Sequence, residues 1–441
     1  MTSLGCAKNL VDSQIMVGRL RSKGFEMTSE EQEAEVLIVN TCGFIETAAQ
    51  ESVDAVLELA SLKERGKCRG LILSGCLAEK HGSSLLSLLP EVDAVVGTGH
   101  FHEMPSIVER VIAGERVLLT GSVREAPFDD PHRVPLTPSH YAYLKIAEGC
   151  DHKCSFCTIP RMRGSFRSRP MESILDEAVR MSKEGVQEIV LIAQDTTAYG
   201  LDLYGEKRLP ALLRNLVSLS GPPWIRLMYA YPNTLSRDVL TTIESSPKIC
   251  RYLDIPLQHS NTRILKAMGR GGSRTSLLKL VGDVRKTVPG IALRTTLISG
   301  FPTERKKEFE ELLSFVNTAR FERLGAFSYS DEEQAASHAL SPKVPASVKT
   351  ARVRRLMETQ QRIALERNEH IVGSVLEIML DRVREKKSGN RTTWEGRTRW
   401  DAPLVDGKVV VKSGAVTLSP GDRISVRITG ATPYDLLGVH E

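Results

Sequence analysis

Three cysteines within eight residues, Cys150, Cys154 and Cys157, are the part of this chain with the most chemistry in it. Thiolates are the usual ligands of iron–sulfur clusters, and a cubane has four irons. Three local thiolates therefore hold three corners and leave the fourth iron open to an exogenous molecule. The stretch Tyr141–Ala147 just before them is apolar and β-prone, which places the triplet in the loop leaving a strand. A structural zinc site, with His152 or a distant residue as fourth ligand, is the plain alternative, although this spacing is unusual for zinc.

Three more cysteines lie about 35 residues apart in the first part of the chain: Cys6, Cys42 and Cys76, each next to a glycine. Residues 1–118 alternate short apolar runs (Val36–Asn40, Gly70–Ser74, Val92–Val96) with helical patterns, from Phe44 to Ala60 and near Leu85, as an α/β domain with a parallel sheet should. The carboxyl ends of parallel strands face one crevice, so cysteines just past successive strands meet in space though scattered in sequence. That predicts a second three-thiolate site. The alternative, three unrelated small residues near turns, is weakened by the repeated placement. Cys68 and Cys250 read as buried bystander thiols.

The elements that must position these groups follow from the remaining pattern. A chain of 441 residues with 41% hydrophobic and 26% charged residues accommodates about three globular domains, and its net charge of +5 permits RNA or ribosome contact without demanding it. No apolar run reaches the roughly 20 residues of a membrane span and no signal-peptide core precedes the chain, which places the thiols in the cytoplasm, without a membrane partner. Residues 119–140 are proline-bearing and charged, an extended linker. Over 141–335, strands are expected at 141–147, 188–194, 224–229, 252–258, 292–299 and 323–329. Six βα units are too few for an eight-stranded barrel and predict an open partial barrel, with active residues at the carboxyl ends of its strands. A helical connection spans 336–373, its helix running from Val344 to about Ile371, with arginines read as a solvated, ion-paired face. From 374 to 441, short strands and turns predict a small OB-like β-barrel. Gly269–Ser273 is glycine-rich but lacks the lysine of a phosphate loop, so it reads as a plain loop.

The Cys150/Cys154/Cys157 spacing, with aromatic Phe156 before the third cysteine, resembles the radical S-adenosylmethionine (SAM) superfamily. Two cysteine triplets plus a terminal β-module resemble its methylthiotransferase family across nearly the whole chain. That resemblance implies an N-terminal cluster domain, a radical-SAM partial barrel and a TRAM domain. The segments Ser3–Ser13, Cys154–Pro170 and Ala431–Gly438 are similar to the branch that modifies an aspartate of small-subunit ribosomal protein twelve. Two departures stand out. Only five residues precede Cys6, so either the start codon is misassigned or the first strand is shortened, which puts the rigidity of the Cys6 loop in question. Leu404 stands where relatives often carry an acidic residue.

The resemblance implies two [4Fe-4S] clusters, with SAM both as radical source and as methyl donor. Cys150, Cys154 and Cys157 would hold the cluster that cleaves SAM, and Cys6, Cys42 and Cys76 the cluster that supplies sulfur. Gln194 and Asp195 would meet the SAM amino group or ribose, and Gln258 the ribose side. Arg294 would pair with the carboxylate, and Gly300 would let backbone approach adenine. The implied partners are the ribosomal protein or the assembled small subunit, an electron donor such as flavodoxin or ferredoxin, and a sulfur source. Two rivals remain: a transfer-RNA adenosine methylthiotransferase, and a non-enzymatic iron–sulfur scaffold. The first predicts a basic terminal domain, whereas eleven Lys/Arg face nine Asp/Glu from residue 374 onward, a near balance that favours a protein partner. Trp394, Trp400 and Asp401–Gly407 are candidate contacts for that partner.

Overall fold

Apolar runs buried on both faces become the strands of two parallel sheets, while runs that alternate buried and exposed residues close a small barrel. The computed structural model describes residues 1–65, 67–121, 123, 130–387, 391–414 and 416–441. In the N-terminal part, β1 (Thr2–Ser3), β2 (Val36–Thr41), β3 (Gly70–Gly75), β4 (Ala94–Val96) and β5 (Val117–Leu119) lie side by side in chain order, all parallel. Helices α1 (Ala7–Ser22), α2 (Glu46–Ala60), α3 (Cys76–Leu88) and α4 (Met104–Ile112) cover them. β1 is only two residues long, but its loop is braced from elsewhere. Asn9 Nδ2 donates to Thr41 O at 2.8 Å and Leu4 O at 3.2 Å, and Ser13 Oγ to Ser3 Oγ at 2.8 Å. Gly75 ends β3 at φ +98°, and a Cβ there would lie 2.2 Å from Asn40 Oδ1, so only glycine lets β3 turn into α3 at Cys76.

The central part is the open barrel the sequence predicts. β6 (Tyr141–Lys145), β7 (Glu188–Ile192), β8 (Trp224–Leu227), β9 (Ile249–Asp254), β10 (Ala292–Ser299) and β11 (Arg323–Ser328) form one parallel sheet in chain order. β9 is displaced from the expected 252–258: Pro256 cannot donate to a ladder, so the strand ends at Asp254 and Gln258 rejoins the sheet as a single bridge to Leu297. Leu144, Leu191, Leu227, Leu253 and Leu293 pack outward on the helices. Tyr143, Val190, Met228 and Tyr252 point inward, where they meet Val11, Ile15 and Met16 of α1, and Met379 and Ala402 of the C-terminal part. The barrel is thus filled by its two neighbours.

The stretch expected as a linker lies partly outside the described residues, at 122 and 124–129. Its described end is docked: Arg133 bonds Gln14 Oε1 at 2.8 Å, Glu177 Oε1 at 2.6 Å and Tyr143 O at 2.7 Å. A helix over Ala346–Glu369 flanks β11. Its cations are ion-paired, Arg355 with Glu310 at 2.7 Å and Arg362 with Glu366 at 2.9 Å, while Arg352 is buried on Glu304. No helix among the described residues is long and apolar enough to cross a membrane.

The last part is a closed barrel of β12 (Val375–Lys387), β13 (Arg391–Arg397), β14 (Val409–Ser413), β15 (Arg423–Ala431) and β16 (Leu436–His440), in spatial order 12-13-14-16-15. Of the two tryptophans named as candidate contacts, Trp394 is buried and Trp400 partly buried. Trp394 is in its core with Ile378, Val411 and Val426. Trp400 lies against the central sheet, its Nε1 donating to Gly290 O at 3.1 Å. The Asp401–Gly407 segment is split in the same way: Asp401 bonds Arg323 Nε at 2.8 Å and Asp406 accepts from Tyr252 Oη at 2.7 Å, while Leu404 is 83% exposed.

Beneath the central sheet, fully buried Glu188 binds Arg226 Nε and Arg397 Nη1, each at 2.6 Å, so the terminal barrel donates one cation to the floor of its neighbour. Removing one partner of such a cluster strands a buried charge. Arg397→Ala should therefore cost roughly 3–5 kcal/mol. The chain's three tryptophans, at 224, 394 and 400, all lie at or near this junction, so their fluorescence during urea unfolding should register a lower midpoint.

Candidate active site

The N-terminal thiols stand at three neighbouring strand ends. Cys6 follows β1 and opens α1, Cys42 directly follows β2, and Cys76 directly follows β3. Each is close enough to feel the others' charge, and burial pushes the Cys76 thiol up to about 12 and raises Cys42 as well. The central triplet sits in the loop after β6, braced by a short antiparallel pair of Ala147–Glu148 with Arg167–Ser168. Burial raises Cys150 to about 11 and Cys157 to about 12. Among the described residues, no three Cys, His, Asp or Glu side chains close on one point as a lone metal ion requires.

The central loop rests on a segment that composition alone made look idle. Gly269, at φ +69°, brings backbone against Lys153, where a Cβ would lie 2.3 Å from the carbonyl oxygen. Ser155 N donates to Met268 O at 2.9 Å. Arg270 extends Nη1 to within 3.7 Å of Cys154 Sγ, bonds Pro256 O at 2.7 Å and lies over the Tyr231 ring. His152 stacks on the same Tyr231 ring, 3.7 Å from it, and its Nε2 is 2.7 Å from Asp195 Oδ2. Phe156 packs with Met268, Phe301 and Tyr329, anchoring the loop. The signal for Arg270 was its neighbourhood of glycines, which permits close backbone approach but does not say to what.

A buried ionic network ties the two triplets together. Lys145 Nζ binds Asp12 Oδ1 at 2.8 Å and Glu148 Oε2 at 2.7 Å. Arg163 Nη1 binds Asp12 Oδ2 at 2.5 Å, and its Nη2 donates to Asn9 Oδ1, which also accepts from Cys76 Sγ at 3.5 Å. Gln194 Nε2 donates to Glu148 Oε1 at 2.6 Å. Burial works against the charged Glu148, but Lys145 and Arg163 outweigh it and hold its carboxyl well below the usual range. Beside the network, the buried Lys8 ammonium lies 3.0 Å above the centre of the Tyr229 ring. Burial lowers it to about 8, against the raising effect of Cys6, Asp254 and Glu148. Tyr229 and Gln258, past the ends of β8 and β9, are both non-glycine residues at positive φ, 59° and 70°. Such strain is typical of functional strand ends.

The residues expected around SAM divide into two groups. Gln194 Oε1 and Gln258 Oε1 are buried acceptors with no donor among the described residues, and they suit a ligand rich in N–H and O–H. Asp195 caps the following turn, accepting from Thr197 N at 2.8 Å, and orients His152. Arg294 directs Nη1 to Asp254 at 2.9 Å and Nε toward Asp406 at 3.4 Å. At Gly300, φ is +79° and a Cβ would lie 2.3 Å from Lys349 Cγ, so the backbone there is in close contact with that side chain.

Residues 1–97 match the uncharacterized protein family UPF0004, residues 144–316 the radical SAM superfamily, and residues 372–440 the TRAM domain. The chain is 48% identical over 441 residues to the ribosomal protein uS12 methylthiotransferase RimO of Pelotomaculum thermopropionicum, covering 99% of this chain and 98% of that one. It is 45% identical to the RimO of Lachnoclostridium phytofermentans, covering 100% and 99%. The chain belongs to the RimO family. Among solved structures it is similar in fold to the radical SAM methyltransferase TsrM of Kitasatospora setae, with TM-score 0.54 and 12% identity over 86% of this chain and 76% of that one. RimO kinship and the superfamily match make [4Fe-4S] clusters and SAM the cofactors of this chain, and the two gathered thiol triplets and the two orphaned glutamine oxygens fit them.

Two outcomes follow from this geometry. Because folding depresses the Glu148 carboxyl, its stabilising effect is complete above the unfolded value near 4.3 and is lost as pH falls below it. Glu148→Gln should therefore flatten part of the fall in urea midpoint between about pH 5 and pH 2. Separately, an N–H held near a ligand sulfur is one of the levers on cluster potential. Arg270→Met should lower the midpoint of a cluster at the central triplet, read by an electron paramagnetic resonance redox titration.

Proposed function

We propose that this chain is a radical-SAM methylthiotransferase that places a methylthio group on the β-carbon of an aspartate in ribosomal protein uS12. One observation carries the reading: thiol triplets on two different sheets are joined through one buried path, Cys76–Asn9–Arg163–Glu148, that ends two residues before Cys150. The relatives that this chain matches along its whole length bear that name.

The target carbon carries no proton that a side-chain base can remove at neutral pH, so acid–base chemistry alone does not suffice. Cubanes at the two triplets, together with SAM, supply the homolytic cleavage, the sulfur and the methyl group when bound. The chain's own residues supply placement. Cys150, Cys154 and Cys157 would hold one cubane, backed by Arg270 and Phe156; Cys6, Cys42 and Cys76 would hold the other. Gln194 and Gln258 would accept from the amino and ribose groups of SAM, and Asp195 would keep His152 against Tyr231. The packing of α1 on the inner face of the central sheet brings the two triplets to one side of the molecule, with Cys76 buried and Cys6 exposed. The reading places the enzyme in the cytoplasm, with a reductant such as flavodoxin or ferredoxin, a sulfur source, and uS12 either free or in the small subunit. Boundaries at about 118, 140, 335 and 373 separate its parts.

The test divides the labour between the triplets. The reconstituted protein should bind about eight irons and each single-triplet variant about four. Cys154→Ala should abolish formation of 5′-deoxyadenosine. Cys42→Ala should keep it but give no methylthiolated uS12 by mass spectrometry. Methylthiolated transfer RNA in place of uS12, or product from the Cys42 variant, would sink the assignment.

A further inference from the structure

Lys8 is a cation without a carboxylate partner. The residue is 7% exposed, and among the described residues its Nζ makes no hydrogen bond and no ion pair. Its one close contact is the face of Tyr229, 3.0 Å away, past the end of a central strand. Every carboxylate nearby is already engaged. Asp254 is bound by Arg294 Nη1 at 2.9 Å and the Tyr229 N–H at 3.3 Å. Glu148 is bound by Lys145, Arg163 and Gln194. Asp12 is shared by Lys145 and Arg163. A buried ammonium left unpaired is costly, and an aromatic face offsets only part of that. The position is also telling: Lys8 is two residues from Cys6, on the first turn of α1, and reaches toward the strand ends of the central sheet.

We infer that the Lys8 ammonium receives the side-chain carboxylate of the substrate, fixing the adjacent carbon between the two thiol triplets. The inference rests on the methylthiotransferase reading and deepens it. A carboxylate brought to the Lys8 Nζ would complete its charge pair, with Tyr229 closing the other face of the ammonium. An uncharged side chain of the same shape would leave Lys8 unpaired. Lys8 is thereby a residue that selects aspartate over its amide.

The test is a two-by-two comparison of binding on the cluster-loaded protein, which needs no turnover. Isolated uS12 and a version whose target aspartate is replaced by asparagine are titrated against wild type, Lys8→Met and Lys8→Arg. Wild type should prefer the aspartate form roughly 10-fold or more, the strength of a charge-assisted pair. Lys8→Met should bring the two forms to within about 2-fold, and Lys8→Arg, which keeps a cation, should restore part of the preference. Discrimination that survives in Lys8→Met would overturn the inference. So would a Lys8→Met protein that loses about four of its irons with discrimination intact, since Lys8 would then serve the Cys6 site instead. Failure of wild type to bind uS12 at all would strike the functional reading rather than this one.

Discussion

Four charged side chains share a space from which water is excluded: Lys145 and Arg163 on one side, Asp12 and Glu148 on the other. Removing such groups from water costs several kcal/mol each, and only full mutual pairing offsets the loss. The set is therefore all or none. It locks α1, which starts at one thiol triplet, onto the strand and loop that carry the other. Because the charges demand tight geometry, the gap between the two sites has little freedom to vary. A hydrophobic contact of similar area would hold the parts together but would tolerate sliding.

Strain is concentrated beside that lock. Tyr229 and Gln258 adopt left-handed backbone at adjacent strand ends, and Gln194 and Gln258 carry buried oxygens without donors. Each is a local loss that surrounding packing sustains, as expected where geometry serves a ligand rather than stability. Arg294 and Glu188 show the opposite habit, with charges fully committed to holding parts of the protein together.

Much of this was legible beforehand. Cysteine spacing and strand periodicity located both triplets, because a thiol after an apolar run and a glycine has few structural uses. The six central strands were readable from β-branched runs, with the one displaced strand traceable to Pro256. What stayed hidden depended on partners distant in sequence. That Arg294 also pairs with Asp254 and faces Asp406 depends on residues 40 and 112 positions away. Trp400 looked like a surface anchor because nothing local announces that Gly290 lies against it. Lys8 lies in the segment Ser3–Ser13, and its lack of a carboxylate partner depends on Asp12, Glu148 and Asp254 being held by residues distant from it in sequence.

The terminal barrel was expected to be a handle that follows a long helix. The end of β13 and the loop after it, over 397–406, instead send Arg397, Asp401, Ala402 and Asp406 into the underside of the central sheet, where Glu188, Arg323 and Tyr252 meet them. A chain ending before residue 374 would therefore bare a fully desolvated acid and two arginines at the base of its own catalytic chamber. The module is a cork as much as a hand: whatever it grips is held at a set distance from the chemistry, and neither task can be exchanged between relatives without the other.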